Sequence, residues 1–318
     1  MLLQIFLFLF GLLLVVWGAD ALVDGASSIA RKFGISEFVI GLTIVGMGTS
    51  APEMVVSFIG AIGGNADIAV GNVIGSNIFN TLLILGLTAM ILPMNITYLN
   101  LKKDIPINIV ITVLLLVLGM NFSIFGCGAN RLSRVDGLVL LALFCLYMYM
   151  SFRFDTPNNN EEEPGETKKT GWAILLIVLG LNGLVVGGKL FVDSAVSIAK
   201  MLNVSDKFIA VTILAGGTSM PELATCLVAA VKKKGQLALG NIIGSNVFNI
   251  LLILGGSALI HPLSLEQIGI VDLGILLLSS LVILTSAFIG KKNKIDRIDG
   301  IFFVLLEIAY MTWLIMEK

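Results

Sequence analysis

Long apolar stretches, separated by short polar segments, follow one another along almost the whole chain. A membrane-spanning helix needs about 20 predominantly apolar residues, and ten stretches of roughly that size can be counted. They fall at about residues 2–22, 36–62, 68–92, 105–121, 135–152, 172–192, 205–231, 238–260, 267–289 and 299–316. The pattern predicts an all-α integral membrane protein with ten transmembrane helices.

Composition supports a chain whose partner is the lipid bilayer. Hydrophobic residues make up 57% of the 318 residues and charged residues only 13%, whereas soluble domains carry about 25% charged residues. No basic face exists outside the loops, so no nucleic-acid partner is expected. An enzyme is not expected either, because neither a Ser–Lys or Ser–His pair nor an HExxH motif appears.

One clearly polar segment, FRFDTPNNNEEEPGETKKTG, lies in the middle of the chain. It predicts a solvated linker at 153–171 between a first five-helix unit, 1–152, and a second, 172–318. Fourteen Lys and Arg residues fall on the face of this linker and six on the opposite face. The positive-inside rule then predicts a cell-membrane protein with a cytosolic linker and both termini outside.

The two units contain an internal repeat. Residues 11–94 align with residues 180–263 at a constant offset of 169, without a gap and with 37 of 84 positions identical. The best-matched blocks are TIVGMGTSAPE with TILAGGTSMPE, and GNVIGSNIFNTLLILG with GNIIGSNVFNILLILG. The repeats begin five spans apart, and because five is odd the second repeat is inverted. Inverted repeats bring equivalent segments together near the bilayer midplane.

Each repeat carries one glutamate deep within a span, Glu53 in the second span and Glu222 in the seventh. A carboxylate near the bilayer centre costs at least about 2.5 kcal/mol unless it is paired or lines a hydrated pathway. The central parts of the second, third, seventh and eighth spans contain no Lys or Arg. We therefore expect a bound cation to supply the counter-charge.

Polar residues surround each glutamate at helical spacing. In the first repeat Gly46, Thr49, Ser50 and Glu53 form one stripe, which Ala215, Thr218, Ser219 and Glu222 repeat. The second blocks add Ser76 and Asn80, with their counterparts Ser245 and Asn249. Proline lacks an N–H and crowds the carbonyl four residues back. Pro52 and Pro221 therefore predict a break in each helix that exposes backbone oxygens.

These residues offer only oxygen ligands. Such a set suits hard cations such as Ca²⁺ and Na⁺ and argues against zinc or copper. Two glutamates carry a charge of −2, which one Ca²⁺ or two Na⁺ would neutralise. Competition for one site would then couple two opposite fluxes. The ions are expected as cargo, with no resident cofactor.

At these residues the chain resembles the cation/Ca²⁺ exchanger superfamily, specifically prokaryotic Na⁺/Ca²⁺ exchangers, whose two α-repeats the paired blocks match. The resemblance implies that Glu53 and Glu222, with backbone oxygens of Thr49 and Thr218, hold Ca²⁺. The flanking Na⁺ sites that it implies take carbonyl or hydroxyl oxygens from Gly46, Ser50, Ser76, Ala215, Ser219 and Ser245. It also implies alternating access, in which the first and sixth spans slide across the other eight.

The chain departs from its relatives at two positions. Some members carry an acid where Asn80 or Asn249 stands here, and an amide offers an oxygen but no charge. K⁺ dependence is therefore less expected, and the Na⁺ stoichiometry is open.

Two other transport functions compete with this one. A Ca²⁺/H⁺ antiporter of the same fold would let the two glutamates carry protons on the return. A channel would show a symmetric oligomeric pore motif, whereas this chain builds its site from its own halves, as expected of a functional monomer. Glu307, in the tenth span, lies outside the aligned repeat.

Overall fold

Helices make up nearly all of the fold in this computed structural model, which describes residues 1–120, 130–155, 168–202, 216–265, 268–288 and 293–316. The helices are α1 (Leu2–Phe33), α2 (Glu37–Thr49), α3 (Ala51–Ile62), α4 (Ala66–Ile91), α5 (100–119), α6 (Arg134–Arg153), α7 (Thr170–Met201), α8 (Met220–Val231), α9 (Gly235–Ile260), α10 (Ile270–Ser286) and α11 (Arg297–Met316). Four two-residue strands connect them: β1 (Met94–Asn95), β2 (Arg131–Leu132), β3 (Leu263–Ser264) and β4 (Lys294–Ile295).

These helices match the predicted spans, with α2 and α3 together forming the second span and α8 forming the end of the seventh. Among the described residues, six helices are long and apolar enough to cross a membrane, and the bent pair of α2 and α3 makes a seventh. The start of the predicted seventh span, residues 205–215, lies outside the described residues. The predicted ends of the first and sixth spans are wrong, because α1 and α7 each continue to 32 residues. Polar residues such as Asp24 end the apolar stretch without ending the helix.

Helices α1 and α7 pack antiparallel to each other along their length. A Cβ atom added at Gly18 would lie 2.7 Å from the carbonyl oxygen of Gly180, and one at Gly25 would lie 2.7 Å from that of Ala173. Glycine at these positions permits the close backbone approach that drives helix association in lipid. The two helices therefore form one closely packed unit.

The remaining helices enclose α9. Of its apolar window 94% is buried, whereas only 22% is buried in α1, α6 and α11. Many apolar residues on those outer helices are exposed within the described part of the chain, as expected of surfaces that face lipid. The core of the fold thus lies around α9 and, to a lesser degree, α4, which is 67% buried.

In each half, the last helix packs on a helix of the other half, and it does so in the same way. Helix α6 packs on α9, and an added Cβ at Gly137 would lie 2.7 Å from the Gly255 oxygen. Helix α11 packs on α4, and an added Cβ at Gly300 would lie 2.6 Å from the Gly86 oxygen. Gly86 and Gly255 are repeat-matched at the offset of 169. Gly137 and Gly300 differ by 163, an offset that extends the equivalence of the halves to their last helices.

Two short antiparallel ribbons join loops of opposite halves. Strand β1 pairs with β4, with Met94 opposite Ile295, and β2 pairs with β3, with Leu132 opposite Leu263. Paired loops must lie on the same face of a membrane protein. In the ten-span prediction the loops of β1 and β4 lie on one face of the membrane, and the loops of β2 and β3 lie on the other. The two ribbons are therefore expected on opposite faces.

Candidate cation site

The second span is broken where its glycine–proline block predicts a break. Helices α2 and α3 meet at Ser50, whose φ of −79° and ψ of 8° are not helical, and their axes differ by 48°. Pro52 lies in the first turn of α3, where its missing N–H costs nothing. In the other half α8 begins directly after Ser219, which has φ of −86° and ψ of 9°, with Pro221 in its first turn.

The break brings the two glutamates of opposite halves together. Both side chains are fully buried. The Ser219 hydroxyl donates to Glu53 Oε1 at 3.0 Å, and the Ser50 hydroxyl donates to Glu222 Oε1 at 2.9 Å. Each carboxylate is therefore held by the broken segment of the other repeat, as the inverted arrangement predicts.

Serines of the second blocks complete the contacts of each carboxylate. The Ser76 hydroxyl lies 3.4 Å from Glu53 Oε1, and the Ser245 hydroxyl lies 3.4 Å from Glu222 Oε1. Ser245 also reaches the Gly46 carbonyl oxygen at 3.4 Å. One oxygen of each glutamate is thus satisfied by hydroxyl donors.

Four other buried oxygens have no hydrogen-bond partner among the described residues. They are Glu53 Oε2, Glu222 Oε2, Asn80 Oδ1 and Asn249 Oδ1. All four belong to side chains that are at most 1% exposed, where an unsatisfied acceptor costs about 1–3 kcal/mol and more if it is charged. They form two repeat-matched pairs, and a cation is the natural group to satisfy several acceptors at once.

Neighbouring asparagines fix the orientation of the two site amides. Asn249 Nδ2 donates to Asn77 Oδ1 at 2.9 Å, and Asn80 Nδ2 donates to Asn246 Oδ1 at 3.3 Å. Asn246 is held in turn, because its own Nδ2 donates to the Thr81 hydroxyl at 2.8 Å. With both amide nitrogens engaged, the unpartnered atom of Asn80 and Asn249 is the oxygen.

The helical hydrogen-bond pattern also changes at these two amides. A π-helical segment begins at each of them, Asn80–Ile84 in α4 and Asn249–Leu254 in α9. Such segments are rare within α-helices and are frequent at functional sites. The matched positions indicate that both halves adjust the backbone for the same purpose.

A further asparagine pair, absent from the sequence prediction, holds the breaks in place. The Thr49 hydroxyl donates to Asn241 Oδ1 at 3.1 Å, and the Thr218 hydroxyl lies 3.4 Å from Asn72 Oδ1. Asn72 Nδ2 donates to the Glu53 carbonyl oxygen at 3.1 Å. Asn72 and Asn241, like Asn77 and Asn246, occur in the same two matched blocks as Asn80 and Asn249. That matching is the signal by which the sequence could have indicated them.

Close packing presses α2 against α9 beside the site. A Cβ atom added at Gly244 would lie 2.3 Å from the Leu42 oxygen, and one at Gly240 would lie 2.1 Å from the Phe38 oxygen. These glycines belong to the same GNIIGSN block that supplies Ser245. The block therefore both packs the helices and carries the polar groups.

Eleven of the twelve predicted site residues lie in the described part of the chain. The twelfth, Ala215, falls outside it. Nine of the eleven are connected to one of the glutamates through these contacts, whereas Asn80 and Asn249 bond to the neighbouring asparagines Asn246 and Asn77. Ion pairs with Lys are seen at Asp20, Asp24, Glu37 and Asp104. Among the described residues none involves Glu53 or Glu222, so the described part of the chain gives their charges no internal counter-ion.

Comparison with known proteins gives concordant results. The family model described as "Sodium/calcium exchanger protein" matches residues 3–153 and 172–316. The chain is 40% identical over 319 residues to the putative antiporter CaxA of Alkalimonas amylolytica, covering 95% of each chain. It is 33% identical over 337 residues to the sodium/calcium exchanger MaX1 of Methanosarcina acetivorans, covering 95% of this chain and 96% of that one.

A solved structure has the same fold. The sodium-calcium exchanger NCX_Mj, from crystals soaked with Na⁺ and Ca²⁺, superposes with a TM-score of 0.84 at 37% identity, covering 98% of both chains. At this identity the predicted all-α membrane fold with ten helices in two inverted repeats is confirmed.

Proposed function

The chain belongs to the sodium/calcium exchanger protein family, and on that premise we propose that it is a secondary active antiporter that exchanges Na⁺ for Ca²⁺ across the cell membrane. One observation carries the proposal. Two fully buried glutamates, one from each repeat, are held together, and each keeps an oxygen without a hydrogen-bond partner among the described residues. With no counter-ion among the described residues, these two carboxylates are stable in their charged form only with a bound cation.

In this proposal Ca²⁺ binds between Glu53 and Glu222, together with backbone oxygens of Thr49 and Thr218. Ca²⁺ takes six to eight oxygen ligands at about 2.3–2.6 Å, and two carboxylates with nearby amides and hydroxyls offer that chemistry. Flanking Na⁺ would use oxygens of Gly46, Ser50, Ser76, Ala215, Ser219 and Ser245. The amide oxygens of Asn80 and Asn249 add ligands without adding charge.

Charge balance explains how such a site would couple the two ions. The pair of glutamates is neutralised by one Ca²⁺ or by two Na⁺, whereas an empty site leaves two like charges in a medium of low dielectric constant. The empty protein would therefore resist the conformational change. Each load would cross only in exchange for the other.

Alternating access is the mechanism we propose for that crossing, with α1 and α7 as the moving pair. Their backbones approach closely at Gly18 and Gly25, and much of the surface of α1 faces outward. A pair that packs mainly on itself can slide over the core without disrupting it. Because both halves contribute to one site, a monomer is sufficient.

The orientation we propose has both termini outside and the linker in the cytosol. Contacts between separate loops support one common Lys-rich face: Lys234 pairs with Glu37 at 2.7 Å, Lys232 pairs with Asp20 at 2.7 Å, and the Ser36 N–H donates to Asp155 at 2.8 Å. These residues lie on the face for which the positive-inside rule predicts the cytosol.

Transport in proteoliposomes tests the function directly. We expect Ca²⁺ uptake to follow an outward Na⁺ gradient and to be absent under a pH gradient alone. Uptake under the pH gradient alone would instead identify a Ca²⁺/H⁺ antiporter. Glu53→Gln should abolish Na⁺-driven uptake, and Glu37→Gln, the same change at a helix end, should leave it intact. Normal uptake by Glu53→Gln would contradict the assignment of the site.

A further inference from the structure

A third carboxyl group lies within the membrane beside a different face of α4 from the one that carries the cation site. Glu307 stands seven residues after Gly300, so it lies on the face of α11 that packs against α4. Its side chain is 2% exposed, and neither of its oxygens has a hydrogen-bond partner among the described residues. Neither the exchange reaction nor the repeat explains this residue.

Glu307 lines a cavity of about 350 Å³ between α4, α10 and α11. From α4 the described lining is Gly71, Ile74, Gly75 and Phe79, and from the loop before α10 it is Ile268. The titratable groups among the described lining residues, besides Glu307 itself, are Asp272 and Tyr310. These two are bonded to each other, since the Tyr310 hydroxyl donates to Asp272 Oδ1 at 2.7 Å.

The other half shows that the fold does not need a carboxyl here. By the offsets of 163 and 169, the counterparts of Glu307 and Phe79 are Phe144 and Phe248. Those two rings pack together with centroids 5.1 Å apart. Where one half fills this position with an aromatic pair, the other places a carboxyl beside a cavity.

We propose that Glu307 is a proton-binding site separate from the cation site. A single carboxyl among apolar groups is most stable as the neutral acid, and the cavity is large enough for the water that would accept its proton. A metal ion would need more oxygens, and Asp272, the other carboxyl group among the described lining residues, already accepts a hydrogen bond from Tyr310.

Ionisation of Glu307 would affect the cation site through α4. Phe79 faces the cavity with Glu307, and the next residue, Asn80, carries one of the unpartnered site oxygens. An ionised Glu307 would place an uncompensated charge against this helix. The exchange rate should then fall as pH rises through the titration of Glu307.

Infrared spectroscopy of the purified full-length protein tests the proton directly. With Ca²⁺ saturating, so that Glu53 and Glu222 are ionised around the ion, we expect the carbonyl band of a buried protonated acid. The band should decrease as pH rises, vanish in Glu307→Gln, and persist in Glu307→Asp and Glu37→Gln. A band that survives in Glu307→Gln would overturn the proposal, whether or not the protein exchanges Na⁺ for Ca²⁺.

The pH profile of exchange supplies the second readout. Above the titration midpoint the protonated fraction falls about tenfold per pH unit, and the wild-type rate should follow it. Glu307→Gln, normalised to its own rate at neutral pH, should lose this alkaline decrease. An unchanged decrease would overturn the proposal. So would loss of Ca²⁺ binding at every pH in a variant that unfolds at the wild-type temperature, because Glu307 would then be a cation ligand.

Discussion

The two halves of the molecule are nearly identical at the cation site and differ at other places where they touch. The hydroxyls of Ser219 and Ser50 reach the opposite carboxylate at 3.0 and 2.9 Å. Away from the site the halves diverge, with Phe144 matched to Glu307 and Gly63 matched to Lys232, although Phe144 and Lys232 each contact a residue of the other half. Identity is thus kept around the two glutamates and not at every contact between the halves.

The comparison also separates two roles of the matched blocks. Gly240 and Gly244 allow α2 to approach α9, whereas Asn241, Ser245 and Asn249 carry the polar contacts. Both sets fall within ten residues. The polar groups of the cation site and the contact of α2 with α9 are therefore encoded together in one block, while the surroundings of each half are free to change. The matched Gly71 and Gly75 have no atom of the described residues within 4 Å of an added Cβ.

The largest expected effect comes from removing one charge of the matched glutamates. Glu53→Gln and Glu222→Gln should each weaken Ca²⁺ binding by roughly 100-fold, since losing one member of a buried, hydrogen-bonded charge group costs about 2–5 kcal/mol. The two losses should agree within about threefold because the contacts are equivalent. Isothermal titration calorimetry measures both. Wild-type affinity in either variant would show that the two carboxylates do not form one site.

A medium effect is expected from adding a charge at the matched amides. Asn249→Asp replaces a donor with an acceptor 2.9 Å from Asn77 Oδ1, and Asn80→Asp does so at 3.3 Å from Asn246 Oδ1. Each should cost about 1–3 kcal/mol without cations, and Asn249→Asp should cost more. Added Ca²⁺ should restore stability, because the new charge strengthens cation binding.

Thermal unfolding with and without Ca²⁺ measures this difference. The matched control is Asn65→Asp, at an exposed residue between α3 and α4 that lies outside the predicted spans. If Asn65→Asp gained as much stability from Ca²⁺ as Asn249→Asp, the added charge would not be acting at the site.

Much of this arrangement could be predicted from the sequence, because it follows from local sequence features or from the internal repeat. Apolar length predicts the spans, Pro52 predicts the break at Ser50, and the constant offset predicts that Glu53 meets the second repeat. Helix ends were less predictable, since Asp24 marks the end of an apolar stretch and not the end of α1.

The roles of Asn72 and Asn241, which bond to the threonines at the helix breaks, could not be predicted, for a different physical reason. Asn72 and Asn241 act through hydrogen bonds to the opposite half, and a sequence does not show which donor reaches which acceptor across a helix contact. The cavity beside Glu307 likewise depends on three helices that are distant in sequence. Such features follow from packing and not from spacing along one helix.

The smallest expected effect lies at a position where the halves differ. Lys232 pairs with Asp20 at 2.7 Å and also with Asp24, and so connects the end of α8 to α1 on the predicted cytosolic face. Burial alone would lower the pKa of Lys232, but hydrogen bonds to these two aspartates raise it above the ordinary lysine value. The pair is therefore present at neutral pH, and on the alkaline side it is lost as pH rises through that raised pKa.

Lys232→Gln should lower the free energy of unfolding by less than about 1 kcal/mol, because the pair is partly exposed and screened by salt. The difference from wild type should shrink in high salt, and unfolding at low and high ionic strength measures it. Lys169→Gln, the same change at an exposed lysine directly before α7, is the control. A loss that persists in high salt would mean that Lys232 stabilises the α1–α8 contact by packing of its stem instead of its charge.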